Sequence, residues 1–133
     1  MDNFIILFMF MCFFHILDDF FLQRILADMK QSSWWEKNAP DKLYRNDYKC
    51  ALVVHSFSWT FMIMLPILLF NWAAIISVTS LTALYAVIFA VNLALHCMVD
   101  NAKANLHLIN LWQDQSIHLI QIVLTCLTFI WCL

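Results

Sequence analysis

The sequence predicts an all-α integral membrane protein, an antiparallel four-helix transmembrane bundle with a polar His/Asp cluster at its cytoplasmic end. Three observations carry this expectation. First, the 133 residues are 64% hydrophobic and 12% charged, against a charged share of about 25% in soluble domains. A soluble chain of this length has too little interior for that much apolar surface, so lipid is the expected solvent for most of it. Second, four apolar runs are each long enough to cross a bilayer core of roughly 30 Å. Third, His15 with Asp19, His96 with Asp100, and Asp114 with His118 are each spaced four apart, at run ends that up-and-down threading brings to one membrane side.

The first run covers about residues 4–27, apolar to Phe14 and then interrupted by His15, Asp18, Asp19 and Gln23. It has no basic leader and no small-residue cleavage site, so it reads as a retained span and not a signal peptide. A segment at about 28–49 follows, with Trp34, Trp35, Tyr44 and Tyr48 among lysines. It is expected to lie as an aromatic and cationic belt along the headgroups, in preference to a lid over the polar cluster. The second span, about 50–70, contains Pro66, which membrane helices tolerate. A single helix from Cys50 to Val99 would exceed twice the membrane thickness, so the chain is expected to turn near Asn71 with Trp72 at the interface. The third span is then about 72–99. Leu106, Leu108, Ile109 and Leu111 suggest a short interfacial helix within a segment at about 100–112. The fourth span is about 113–133, and residues 1–133 form a single transmembrane domain.

The seven basic residues, Arg24, Lys30, Lys37, Lys42, Arg45, Lys49 and Lys103, all lie in or beside the loops after the first and third spans. The positive-inside rule places those loops in the cytoplasm and both termini outside it. A net charge of −2 with no dense basic run excludes a nucleic-acid partner on electrostatic grounds. Glycine is absent, so there is neither a Gly-rich phosphate loop nor a GxxxG dimer face. The five cysteines are scattered without a CxxC motif and read as small buried hydrophobes.

Residues four apart share a helix face, so each His/Asp pair presents an imidazole and a carboxylate to one point. The threading adds Gln23 and His55 to the same end, and Asn92, His96, Asp100 and Lys103 form one stripe. Ionisable groups in a span face the bundle interior and point to function by default. Imidazole with carboxylate suits a divalent metal, zinc first and iron or manganese next. The expected ligands are His15, Asp19, His96, Asp100 and His118, with Gln23, Asn92, Gln115 and Gln121 orienting them. A bound metal would lower the pKa of its water toward about 7, with Asp114 or His55 as general base and Lys103 as anchor for an anionic substrate. Asp18 points about 100° away from Asp19 on a regular helix and reads as interfacial. The plain alternative is an interhelical hydrogen-bond network, worth roughly 0.6 kcal/mol per bond.

His15-x-x-x-Asp19-Phe20-x-x-Gln23, Lys30, His55, Asn92-x-x-x-His96-x-x-x-Asp100-x-x-Lys103 and Asp114-Gln115-x-x-His118 together resemble the small bacterial and phage membrane family known as domain of unknown function 3307. The resemblance covers nearly the whole chain. Asp18 stands where that family has a small residue, and the Trp-rich stretch from Ser33 to Tyr48 is longer. The resemblance implies a four-span bundle carrying these polar residues and brings no activity with it.

Three functions are open to such a sequence. The first is a metal-dependent hydrolase acting on a lipid or amphiphile at the cytoplasmic face of a bacterial inner membrane. The second is a metal-ion or proton carrier or channel, and the third a non-catalytic phage or bacterial membrane effector. Polar relays also serve transport, but the far halves of the spans are almost purely apolar. Apart from the bilayer, the partners expected are a lipid or amphiphilic substrate, and the sequence is compatible with an oligomer.

Overall fold

Helices form where the apolar runs predict them. The computed structural model describes residues 2–73 and 81–131, the side chains of residues 2, 81 and 82 excepted. The elements are α1 (Asp2–Leu17), a π-helical turn (Asp18–Leu22), α2 (Arg24–Met29), α3 (Ser32–Asn38), a 3₁₀ turn (Lys42–Tyr44), α4 (Asp47–Trp72), α5 (Leu81–Ala104) and α6 (Leu111–Trp131). Four segments, Asn3–Leu22, Lys42–Trp72, Ala83–Ala104 and Leu111–Trp131, are long and apolar enough to cross a membrane. The start of the predicted third span and Cys132 lie outside the described residues.

The four long helices close a ring, with α1 packed on α4 and α6, and α5 packed on the same two helices. One end of the ring is apolar. Leu7, Met11, Ile63, Met64, Ile67, Phe70, Ile122, Cys126 and Phe129 are buried there in one cluster with Trp59. Phe10 meets Phe70 edge-on, the Cys126 thiol reaches the Phe4 carbonyl, and Tyr85 lies beside Phe129. These contacts gather the start of α1, the end of α4, the start of α5 and the end of α6. The other end holds the polar residues.

Four expectations need correction. The first helix does not run to residue 27: it passes into a π turn at Asp18, and Gln23 N donates to Asp18 O at 3.2 Å. Arg24 then takes φ 33, a left-handed value costly for a side chain with a Cβ, so α2 leaves in a new direction. Asp18, at the head of this turn and three residues after His15, lies on the inward His15 face. It is 1% exposed instead of interfacial, accepts from Ser58 Oγ at 2.8 Å and takes the Gln23 amide.

The segment after the first span is not a plain belt. Asn105 Nδ2 donates to Lys30 O at 3.1 Å, Ser32 N donates to Asn105 Oδ1 at 2.8 Å, and Trp35 Nε1 donates to Met29 O at 2.7 Å. These bonds fold it across the polar end, with Lys30 directed inward. Finally, residues 105–110 contain no helix. α5 extends instead to Ala104, and the chain turns through His107 at φ 54.

Candidate metal centre

Asp100 is the hub of the polar end. α5 delivers it one turn beyond His96, and it is 2% exposed. Its Oδ2 lies 2.7 Å from His55 Nε2, 3.5 Å from His96 Nε2 and 2.5 Å from Lys30 Nζ. Its Oδ1 lies 3.2 Å from His118 Nε2. Helices α4, α5 and α6 and the linker after α2 thus meet at one carboxylate.

The three sequence pairs all close. His15 Nδ1 is 3.9 Å from Asp19 Oδ2, His96 Nε2 is 3.5 Å from Asp100 Oδ2, and His118 Nε2 is 3.4 Å from Asp114 Oδ1. Two sets of donors converge closely enough for one ion: Asp19, His55 and His96, and His96, Asp100 and His118, each with ligand atoms within 4.8 Å of one another. Zinc bonds of roughly 2.0–2.1 Å in a tetrahedron place ligand atoms about 3.3 Å apart. His118 Nε2 lies 3.2 Å from Asp100 Oδ1 and His96 Nε2 3.5 Å from Asp100 Oδ2, each near that spacing but to a different carboxylate oxygen.

Hydrogen-bond bookkeeping supports a cation here. His96 belongs to both donor sets, and its Nε2 is buried with no hydrogen-bond partner, as is His55 Nδ1. His118 Nδ1 faces the Gln121 carbonyl oxygen at 3.0 Å and His96 Nδ1 at 3.2 Å, so that nitrogen carries the proton and His96 Nδ1 accepts. His118 Nε2 then confronts two carboxylate oxygens, Asp100 Oδ1 and Asp114 Oδ1. A lone pair facing two anions is repulsive, so a proton or a metal ion must stand between them. Asp19, Asp100 and Asp114 against Lys30 and Lys103 leave one negative charge, which a proton on His118 or a metal ion offsets. The donor set could hold a metal ion.

His15 stands differently. Trp59 Nε1, which can only donate, bonds its Nδ1 at 2.7 Å, and its Nε2 reaches Gln115 Oε1 at 3.1 Å. Both ring nitrogens are engaged and His15 lies outside both donor sets. Gln115 in turn donates to Asp19 Oδ2 at 3.4 Å and Asp114 Oδ2 at 3.0 Å. Gln121 orients His118 and contacts the Asn92 carbonyl at 3.4 Å, while Asn92 donates to Thr125 at 2.8 Å, away from the donors. Gln23 holds Asp18 and the His55 carbonyl. Lys103 Nζ bonds Asp114 Oδ2 at 2.5 Å, leaving Asp114 Oδ1 without a hydrogen bond.

Three members were not assigned from sequence. Lys30 is one: its ammonium touches both Asp100 and His55 Nε2, the latter at 2.8 Å, and so fills a cation position. Its place in the ordered motif was the available signal. Trp59 is the second. It is fully buried, stacks on His96 with centroids 4.1 Å apart and forms the floor between the polar end and the apolar core. Nothing in its spacing distinguishes it from a core aromatic. Asp18 is the third, and its i+3 spacing from His15 was the available signal.

A scan against protein-family models finds no match, and searches of curated proteins and of solved structures find none either. The fold is an all-helical bundle with four membrane-length helices, and the site a buried His/Asp cluster able to hold a metal.

Proposed function

We propose that this chain is an integral membrane metalloprotein whose buried centre serves hydrolysis of a lipid or amphiphile at the cytoplasmic face. The metal is divalent, zinc by preference, and His96, Asp100 and His118 hold it, with His55 and Asp19 as a second donor set around the shared His96. The observation that carries this reading is the convergence of two His/Asp sets on the fully buried His96, with ligand atoms within 4.8 Å of one another in each set. Both termini lie outside the cytoplasm, on the asymmetry of basic residues, and the spans alternate in direction. The ordered motifs shared with the domain of unknown function 3307 family add no activity to this reading.

A bound divalent ion supplies Lewis acidity toward water and toward a substrate oxygen. The chain does the rest. Asp114 Oδ1 lies 3.4 Å from His118 Nε2 while Oδ2 is fixed by Lys103 and Gln115, which places it to exchange a proton beside that nitrogen as a general base. A cavity of about 240 Å³ lined by Asp19, Lys30, Lys103 and Gln115 lies against the centre. The apolar end, closed by Trp59 and the residues beyond it, argues against a path for ions across the bundle.

The test is elemental analysis of detergent-purified protein beside a His96→Ala/Asp100→Ala variant. Stoichiometric metal in the wild type and its loss in the variant is the expected result. Equal metal content in both, or none in either after adding zinc, iron or manganese back, would refute the centre.

A further inference from the structure

The cavity over the centre has a wall chemistry that specifies more than access. Its volume is about 240 Å³, and its polar lining is Asp19, Asp28, Lys30, Gln31, Lys103 and Gln115, the Lys30 ammonium being taken up by Asp100 and His55, with Phe20 and Leu111 as apolar lining. Phe20 is 57% exposed and Leu111 56% exposed, and both belong to membrane-length helices or their ends. The cavity therefore borders lipid on one side and the polar end on the other.

Its charges are of both signs. Lys103 bonds Asp114 with its ammonium and keeps a side chain 30% exposed, so two of its three N–H donors remain for an anion. Asp28 is exposed and has no ion pair among the described residues. Asp19 has His55 and Gln115 as its near neighbours, at 3.5 Å and 3.4 Å, and no lysine. A purely anionic group would meet two carboxylates here. A purely cationic one would leave the spare donors of Lys103 unused. The wall is complementary to a group bearing a phosphate and a primary amine.

We propose that this cavity binds the headgroup of an aminophospholipid of the phosphoethanolamine type, with its phosphate on Lys103, its amine toward Asp28, and its acyl chains leaving past Phe20 and Leu111. This rests on the reading of the cluster beneath it as a catalytic centre, for which it names the substrate class. A primary ammonium offers three N–H bonds to carboxylates, which a trimethylated one lacks. The site therefore discriminates ethanolamine from choline as well as from glycerol headgroups.

Binding is measured on ¹⁵N-labelled, metal-free protein in maltoside micelles containing a chelator, so that its outcome is independent of whether the centre takes a metal. The titrants are dihexanoyl phosphatidylethanolamine, phosphatidylcholine and phosphatidylglycerol, and free phosphoethanolamine. The expected result is tightest binding of the ethanolamine lipid, with amide shifts at Gln31, Lys103 and Gln115. Lys103→Gln should weaken every phospholipid by roughly tenfold, the scale of a charge-assisted bond. The exposed Asp28→Asn substitution should leave the fold intact and reduce the ethanolamine-over-glycerol preference by up to about fivefold. Equal affinity for ethanolamine and glycerol lipids, or a preference unchanged by Asp28→Asn, would overturn the proposal. Free phosphoethanolamine binding as tightly as the lipid would overturn its lipid assignment.

Discussion

Replacing Lys30 by methionine tests whether its ammonium holds a cation position that a metal must take. The side chains are similar in length, and Lys30 is 8% exposed, so the change removes charge with little change in packing. At 2.5 Å from Asp100 Oδ2, an ammonium gains about 7 kcal/mol of gross attraction at an effective dielectric near 20. Desolvation offsets part of this, and deleting one partner of a buried pair typically costs about 3–5 kcal/mol. Metal-free Lys30→Met should therefore be less stable by about 3 kcal/mol. A metal entering the wild type must break the same pair and release the ammonium to water at the interface, recovering some of the loss. A net penalty of about 1.4–2.8 kcal/mol makes the variant bind metal roughly ten- to a hundredfold more tightly. The two effects have opposite signs, which separates this reasoning from general damage to the fold. The assay is zinc titration against a competing chromophoric chelator, paired with thermal unfolding in detergent with and without zinc. Metal affinity unchanged or lowered in Lys30→Met would refute the idea that lysine and metal compete for one place.

Three further outcomes follow from particular contacts. Trp59→Phe keeps a ring over His96 but removes the donor to His15 Nδ1, and should cost about 1–3 kcal/mol in thermal unfolding; a change within error would remove Trp59 from the polar network. Asp18→Leu removes one of the two bonds of the Gln23 amide and leaves the Ser58 hydroxyl without its acceptor and should cost about 2–4 kcal/mol, whereas Asp18→Asn should cost less because it still accepts. Equal losses in the two variants would show that charge and not hydrogen bonding matters there. Asn105→Ala removes the bonds to Lys30 O and Ser32 N, and should speed proteolysis within α3 while leaving the spans protected; an unchanged digestion pattern would mean that those bonds do not hold the segment down.

The parts of the site that sequence made legible are those whose geometry depends on helix period alone. His96 and Asp100 sit within one regular helix, as do Asp114 and His118, and both pairs meet as their spacing requires. Threading alone brings His55 to the same place. Legibility fails where the period breaks. The π turn at Asp18–Leu22 changes the phase of the residues after Asp18, while Asp18 itself is buried on the His15 face at i+3. The positive φ at Arg24 then redirects the chain, and Lys30, a loop residue by sequence, returns to the centre from outside. Neither event has a Gly or Pro to announce it. The roles of individual donors are likewise set by partners on other helices: Trp59 on α4 fixes both His15 nitrogens through one N–H, and no spacing within α1 foretells that.

The division of the bundle into two ends bears directly on what the centre can do. Trp59 is the boundary, its indole stacked on His96 on one side and clustered with Ile63, Met11 and Ile122 on the other. Every ionisable group of the cluster lies on the His96 side. A carrier must expose its site alternately to both faces, and here that would mean drawing charges past a tight layer whose described residues offer hydroxyls such as Thr60, Thr125 and Tyr85 but no ionised partner, at several kcal/mol for each. An enzyme has no such need. It gains from the same layer, because a dry floor beneath the donors strengthens each electrostatic contact above it. The mouth is then required on one side only, where the cavity beside Lys103 and Asp19 opens. One-sided access over a sealed floor suits chemistry on a molecule that arrives from, and returns to, the same leaflet.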